Sequence, residues 1–439
     1  MASRFIKTLA FAAIGALALA GCSNKTDATG EADSTAKEIT IWHMESVPTR
    51  VAAWNDLAEE FNSTDPAFKV RFEVQEWDQV YQKIAAAGQA GTVPDVLFAI
   101  PDFATYVRNI GLGQPVTDIV GQIDSDHQLL APAKAAYTED GEVYAVPLYG
   151  MVQVLWYNKD LFEAAKLDVP DTWNQLLAAA KSLTKDDIHG IALPAGKNLA
   201  SDQVLYSFMA TGGAANFFNQ DGSVNLDRPE TVAAFDIYNQ LLAYSPVDSA
   251  SYSWPEPQAA LNTGAAAMAI EKGQFLSPWE AESGKTAERL GCAPIPVKDD
   301  GGKPGSIYYS NGAMVLSDDK DRRQGAAEFF KWVFEDDNYG TFLNAEPGLF
   351  LPVTQGGSEL QSWRANEIVS TYSQCVEVML DQSKTGVLFG FADGQYIKGI
   401  GDISGQNILA QAVQKMYVDH ETPEAAVKWA QTEMETTLQ

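Results

Sequence analysis

Residues 38–43, Glu38-Ile39-Thr40-Ile41-Trp42-His43, alternate in polarity with the two-residue period of a strand, and together with the helical stripe behind them they decide the fold. Pro48 suits the first position of a helix, where its fixed φ fits and its missing N–H is not needed. Behind it Val51, Trp54, Leu57, Ala58 and Phe61 recur at helical spacing and make one apolar stripe. Residues 68–74 read as a second strand and 78–87 as a second helix, and the turn Gly91-Thr92-Val93-Pro94 leads into the apolar run 95–99. Strand and helix alternating in this way predict a parallel sheet covered by helices, because a parallel neighbour is reached only through a crossover.

The same alternation continues outward. Residues 143–147 and 152–157 are strand-like, with Tyr149-Gly150 between them, and Thr172 precedes an Ala/Leu-rich helix over 173–182. Helices are expected at 203–210 and 229–243, short strands at 266–270 and 313–316, an amphipathic helix at 322–334, and a last helix carrying Ala425, Ala426, Trp429 and Ala430. The chain has 439 residues against about 150 for a usual domain, so two α/β domains are expected, each with its own core.

Toward the N-terminus the pattern changes. Arg4 and Lys7 form a short basic start, residues 9–20 are apolar and uncharged, and Leu19-Ala20-Gly21-Cys22 follows. Twelve residues are too few to span a bilayer, which needs about twenty, so residues 1–21 read as a signal peptide. The small residues before Cys22 resemble the lipobox of bacterial lipoproteins, which implies a lipidated Cys22 as the mature N-terminus. Residues 22–37 are small and polar, a flexible tether. Cys292 and Cys375 are the remaining thiols, either a disulfide or two buried small hydrophobes.

There are 30 Lys+Arg against 58 Asp+Glu, net −28, and loss of residues 1–21 makes the net charge −30. Such a surface repels polyanions, which excludes nucleic acid as a partner and leaves the lipid anchor as the sole contact with a membrane. Four scattered histidines give no zinc cluster, and no metal or cofactor is expected. A phosphate-binding G-x-x-x-x-G-K-[ST] loop, a G-x-S-x-G elbow and an H-E-x-x-H pair are all missing from the sequence. Nothing points to catalysis, and a non-enzyme is expected.

Several strings carry a family resemblance: Ile39-Thr40-Ile41-Trp42-His43, Gly91-Thr92-Val93-Pro94-Asp95-Val96, and Val143-Tyr144-Ala145-Val146-Pro147-Leu148-Tyr149. Leu155-Trp156-Tyr157-Asn158-Lys159-Asp160-Leu161-Phe162, Pro170-Asp171-Thr172-Trp173, Gly264 to Ile270 and Ser310-Asn311-Gly312-Ala313 continue the series. In this order the chain resembles the maltose-binding-protein-like extracellular solute-binding proteins of bacterial ABC sugar importers. The resemblance implies an α/β, two-lobe periplasmic-binding-protein-like (Venus flytrap) fold with a ligand cleft between the lobes. By position, lobe 1 takes residues 38–149 and about 312–350, and lobe 2 takes 150–311 and about 351–439. Crossings are placed near 149–151, 311–312 and 348–352, and at the first two glycine tolerates the dihedral changes of closure. The implied partners are ABC permease subunits with a separate ATPase. The implied location is the outer face of the bacterial cytoplasmic membrane, with the protein a lipid-anchored monomer.

In open α/β sheets ligands lie beyond the carboxyl ends of strands. That rule selects Trp42, His43 and Glu45 after the first strand, Trp77 after the second and Asp102 after the third. His43 is equally a satisfied core histidine. Asp102 is equally a helix N-cap, although it falls where the family places an acidic ligand contact. Tyr149 and Asn311 lie at crossings. Trp254 sits on a Pro-rich loop, whereas Trp54, Trp332 and Trp429 fit core stripes. Where the family often carries Gly-x-Trp, this chain has Gly273-Gln274-Phe275 with Trp279 beyond, so Gln274 and Trp279 are both candidates. Glu346 and Asp393 are polar residues on loops. Trp beside Asp, Glu, Asn and Gln pairs sugar hydroxyls and covers sugar C–H faces. With no basic residue in the set, a neutral di- or trisaccharide is expected, the alternatives being a polyamine or, from another class, a secreted glycan-active enzyme or adhesin.

Overall fold

The computed structural model describes residues 37–392 and 395–439. The basic start, the apolar run, Cys22, residues 23–36 of the expected tether and Asp393 therefore lie outside the described residues. Lys37, expected to end the tether, is the first residue of a strand.

Strand β1 (Lys37–His43), helix α1 (Pro48–Ser63), β2 (Phe68–Val74), α2 (Trp77–Ala90) and β3 (Val96–Ala99) follow in the expected order. β1 lies between β2 and β3 and runs parallel to both, with Ile41 opposite Phe72 and Val96. Pro48 occupies the first turn of α1, and the stripe Trp54, Leu57, Ala58 and Phe61 is buried. Trp54 is fully enclosed, its ring 5.3 Å from that of Phe72 and 5.5 Å from that of Phe98. α2 stops at Gly91, whose φ of 68° is a left-handed cap that a Cβ would strain.

Beyond β3 come α3 (Pro101–Asn109), β4 (Val146–Val152), β5 (Val154–Asn158), α4 (Leu199–Thr211), α5 (Pro255–Asn262), β6 (Met268–Glu271), β7 (Leu290–Ala293), β8 (Ser306–Val315) and α6 (Ile400–Gly405). β8 pairs antiparallel with both β3 and β4 and completes a six-stranded sheet, whose edge is a short strand at Gly386–Val387. β5 is the centre of a second, antiparallel sheet, flanked by β6 and β7. Two sheets, each with its helices, give the α/β fold its two lobes.

Between the two sheets the chain passes directly from β4 to β5. Tyr149 and Gly150 lie inside β4, opposite Asn311 and Ser310 of β8, and Gly150 also exchanges backbone hydrogen bonds of 2.7 and 2.9 Å with Leu351. One residue, Gln153, separates β4 from β5, and its N–H donates to Ser306 Oγ at 3.0 Å. The glycines here permit close packing: a Cβ on Gly150 would meet the Tyr308 hydroxyl at 2.8 Å, and one on Gly312 the Tyr137 ring at 2.8 Å. β8 itself begins at Ser306, well before the expected residue 313, because both faces of its polar first half are buried and no alternation marks it.

Cys292 of β7 and Cys375 of the helix Ser373–Ser383 form a disulfide, with Cα atoms 5.6 Å apart. Among the described residues no helix is long and apolar enough to cross a membrane, and no group of three or more His, Cys, Asp or Glu is arranged to hold a metal.

Candidate functional site

Residues immediately after four strands surround a cavity of about 410 Å³: Glu45 after β1, Trp77 after β2, Ile100 after β3, and Lys272 and Gln274 after β6. Arg50 from the first turn of α1, Gln203 from α4 and Trp254 at the start of α5 complete its polar and aromatic wall. The carboxyl-end rule thus holds in both sheets.

One side of the wall is a chain of buried polar groups. Asn311 Nδ2 donates to the Tyr149 hydroxyl at 2.8 Å, and that hydroxyl donates to Glu45 Oε1 at 3.3 Å. Arg50 then joins two acids, donating from Nη1 to Glu45 Oε2 at 2.9 Å and from Nε to Glu346 Oε2 at 2.6 Å. Ser277 Oγ donates to the remaining Glu346 oxygen at 3.1 Å. Burial opposes the charge on Arg50, but the attraction of Glu45 and Glu346 outweighs it and holds the guanidinium pKa above its usual value. Burial, and then the nearby Glu45 carboxylate, pushes the Tyr149 phenol well above its ordinary range, so the hydroxyl keeps its proton.

The opposite side is built around Lys272, 7% exposed. Its ammonium donates to Gln203 Oε1 at 2.6 Å and Glu271 Oε1 at 3.2 Å, and lies 5.5 Å from the centre of the Trp254 ring. Both cations of the wall are therefore balanced by carboxylates, the arrangement that makes buried charge tolerable.

Of the residues expected from sequence, Glu45, Trp77, Trp254 and Gln274 line the cavity, and Tyr149, Asn311 and Glu346 reach it through the hydrogen-bond chain. Four others lie elsewhere. Trp42 borders a separate polar depression and donates from Nε1 to Glu73 Oε2 at 2.8 Å, since adjacent residues of a strand point to opposite faces. His43 is a core histidine, its ring 5.7 Å from Trp54 and 5.6 Å from Phe72, with Nδ1 accepting the Glu45 N–H at 3.3 Å. Burial lowers its pKa to about 4, so it is neutral. Asp102 follows Pro101 within α3, whose N-cap is Ile100, and it accepts a hydrogen bond from the Ser404 hydroxyl of α6. Burial raises its carboxyl to about 6. Trp279 is fully enclosed and donates to the Thr286 carbonyl at 3.0 Å.

The expectation of a site without basic residues is corrected by Arg50 and Lys272. Lys272 follows β6 directly, so the rule that selects Glu45 selects it too. Arg50 carries no comparable signal, because its partner Glu346 is 296 positions away.

A sequence profile of the bacterial extracellular solute-binding proteins matches residues 46–339. A putative ABC transporter periplasmic-binding protein of Escherichia coli, YcjN, is 23% identical over 395 residues, 88% of this chain and 90% of that protein. The diacetylchitobiose binding protein DasA of Streptomyces coelicolor is 28% identical over 353 residues, 75% of this chain and 77% of that protein. Among solved structures, maltose-bound MalE3 of T. maritima superposes with a TM-score of 0.78 at 18% identity, over 91% of this chain and all of the other. A sugar transporter of Arthrobacter chlorophenolicus with bound laminaribiose gives 0.76 at 19% identity, over 92% of this chain and all of the other. These are two-lobe solute-binding proteins, and with a cavity walled by residues that follow the strands of both sheets, the chain belongs to the bacterial extracellular solute-binding protein family.

Proposed function

We propose that this protein captures a neutral oligosaccharide, a di- or trisaccharide, in the cavity between its lobes and hands it to the permease of an ABC importer. The observation that carries the reading is the ion-paired wall, in which Arg50 sits between Glu45 and Glu346, and Lys272 against Glu271, with Trp77 and Trp254 beside them. Such a wall offers many donors and acceptors whose charges are already engaged in ion pairs, which suits hydroxyls, and aromatic rings suit the apolar face of a sugar. A volume of about 410 Å³ falls within the roughly 300–1,000 Å³ of small-ligand sites. Relatives named for diacetylchitobiose and for arabinooligosaccharides, and neighbours holding maltose and laminaribiose, support the same ligand class.

A polyamine fits less well, because Arg50 and Lys272 already engage Glu45, Glu346 and Glu271, the carboxylates that would hold its ammonium groups. The lobes are proposed to meet at the passages through Gln153, β8 and the segment around Leu351, with Cys22 lipidated and the chain monomeric at the outer face of the membrane. Calorimetric titration against di- and trisaccharides, with spermidine as a control, tests the ligand class. Heat from a neutral sugar without any hydrolysis product supports it, whereas heat from spermidine alone, or sugar consumed during the titration, contradicts it.

A further inference from the structure

Two polar atoms on the cavity wall have no hydrogen-bond partner among the described residues, the indole Nε1 of Trp254 and Oε1 of Gln274. Buried polar atoms are seldom left unpaired, because each one forfeits its hydration without return. The first can only donate and the second can only accept. Gln274 is 7% exposed and lies just past β6, on the same lobe as Trp254 at the start of α5. Lys272 fixes how the indole is presented: its ammonium stands over the ring at 5.5 Å and is anchored by Gln203 and Glu271. One indole face is thereby occupied, and Nε1, on a residue of the cavity wall, is buried without a partner among the described residues. Trp77, at the start of α2, meets Phe103 edge-on at 6.1 Å and is half-buried, so its ring is not enclosed.

We infer that Trp254 serves the ligand as a hydrogen-bond donor through Nε1 and not as a stacking platform. Gln274 Oε1 accepts from a neighbouring ligand hydroxyl, and Trp77 supplies the stacking face. An unpaired donor and an unpaired acceptor on one wall match adjacent sugar hydroxyls, of which one accepts while the next donates. This division of labour rests on the oligosaccharide reading and names the groups that would discriminate among sugars.

The test takes the tightest binder among maltose, laminaribiose, cellobiose, mannobiose and the corresponding trisaccharides, and measures it by calorimetry with variants whose melting temperatures match the parent. Trp254→Phe keeps a ring and loses the N–H, and about ten-fold weaker binding is expected from one lost hydrogen bond. Gln274→Leu is expected to weaken binding to a similar degree, while Gln274→Glu, which can only accept, stays within about three-fold. Monodeoxy analogues of the sugar should reveal one hydroxyl whose removal matters in the parent and not in Trp254→Phe. Parent-like affinity in Trp254→Phe with a large loss in Trp254→Leu makes Trp254 the platform and overturns the inference alone. Silence toward every sugar overturns the oligosaccharide reading itself, and this assignment with it.

Discussion

Arg50 and Glu346, 296 positions apart in the chain, meet at 2.6 Å between Nε and Oε2. Through this pair the first turn of α1 is tied to the segment leading toward Leu351, and through the other Glu346 oxygen to Ser277 beyond β6. The guanidinium and both of its carboxylates are nearly enclosed, with side-chain exposures of 15%, 10% and 7% for Arg50, Glu45 and Glu346.

Arg50→Met leaves two acids facing each other without a cation. Breaking such a buried group from one side costs about 3–5 kcal/mol, which urea denaturation should register. Adding Glu45→Gln and Glu346→Gln to the same chain is expected to recover much of the loss, because no uncompensated charge then remains. Unchanged stability in the single variant contradicts the network.

Opposite pH dependences are expected from two buried groups. His43 is neutral in the fold with a pKa near 4 against an ordinary 6.5, so its stabilising contribution is complete above pH 6.5 and is lost as pH falls toward 4. Asp102 runs the other way: its folded pKa of about 6 lies above the ordinary 3.8, so its contribution is present below pH 4 and is lost as pH rises to 6. Asp102→Asn removes the second effect. Stability measured from pH 4 to 8 should gain up to about 3 kcal/mol at neutral pH in the variant and fall more steeply on acidification. Parallel curves for the two proteins contradict the assignment.

Gly273 stands where an added Cβ would meet the Gly348 carbonyl oxygen at 2.1 Å, whereas an added Cβ on Gly312 meets the Tyr137 ring at 2.8 Å. Backbone cannot swing away as a side chain can, so Gly273→Ala is expected to be the more damaging change, by more than about 3 kcal/mol. Thermal melting of both variants decides the order.

The disulfide closes 83 positions of chain. Replacing Cys292 and Cys375 together with Ala should lower stability by about 2–5 kcal/mol, chiefly through a freer unfolded state. Denaturation of this variant beside the parent under non-reducing conditions provides the measurement.

How far sequence reached depended on whether the physics was local. The first three strands and two helices were legible because Ile39, Ile41, Trp54 and Phe61 fall on periods that one element fixes by itself. Glu45 and Trp77 were legible for a related reason, since residues at strand ends can be located once the strands are, whereas Gln274 was reached only through the family resemblance. Trp42 and Trp279 were not, because an aromatic ring reads alike on a strand face, in a core and in a cleft until its partners, Glu73 and the Thr286 carbonyl, are known. β8 lost its signal when the second sheet face was covered. Arg50 is the clearest case of non-local logic, since neither its burial nor its partner Glu346 is written near it.

Calorimetric titration of the purified protein with neutral di- and trisaccharides, followed by small-angle scattering of the saturated complex, tests the central claim most directly. Saturable binding of one sugar, no hydrolysis product, and a smaller radius of gyration in the complex are the predicted results. Indifference to every neutral sugar, or release of a cleaved product, would contradict the account.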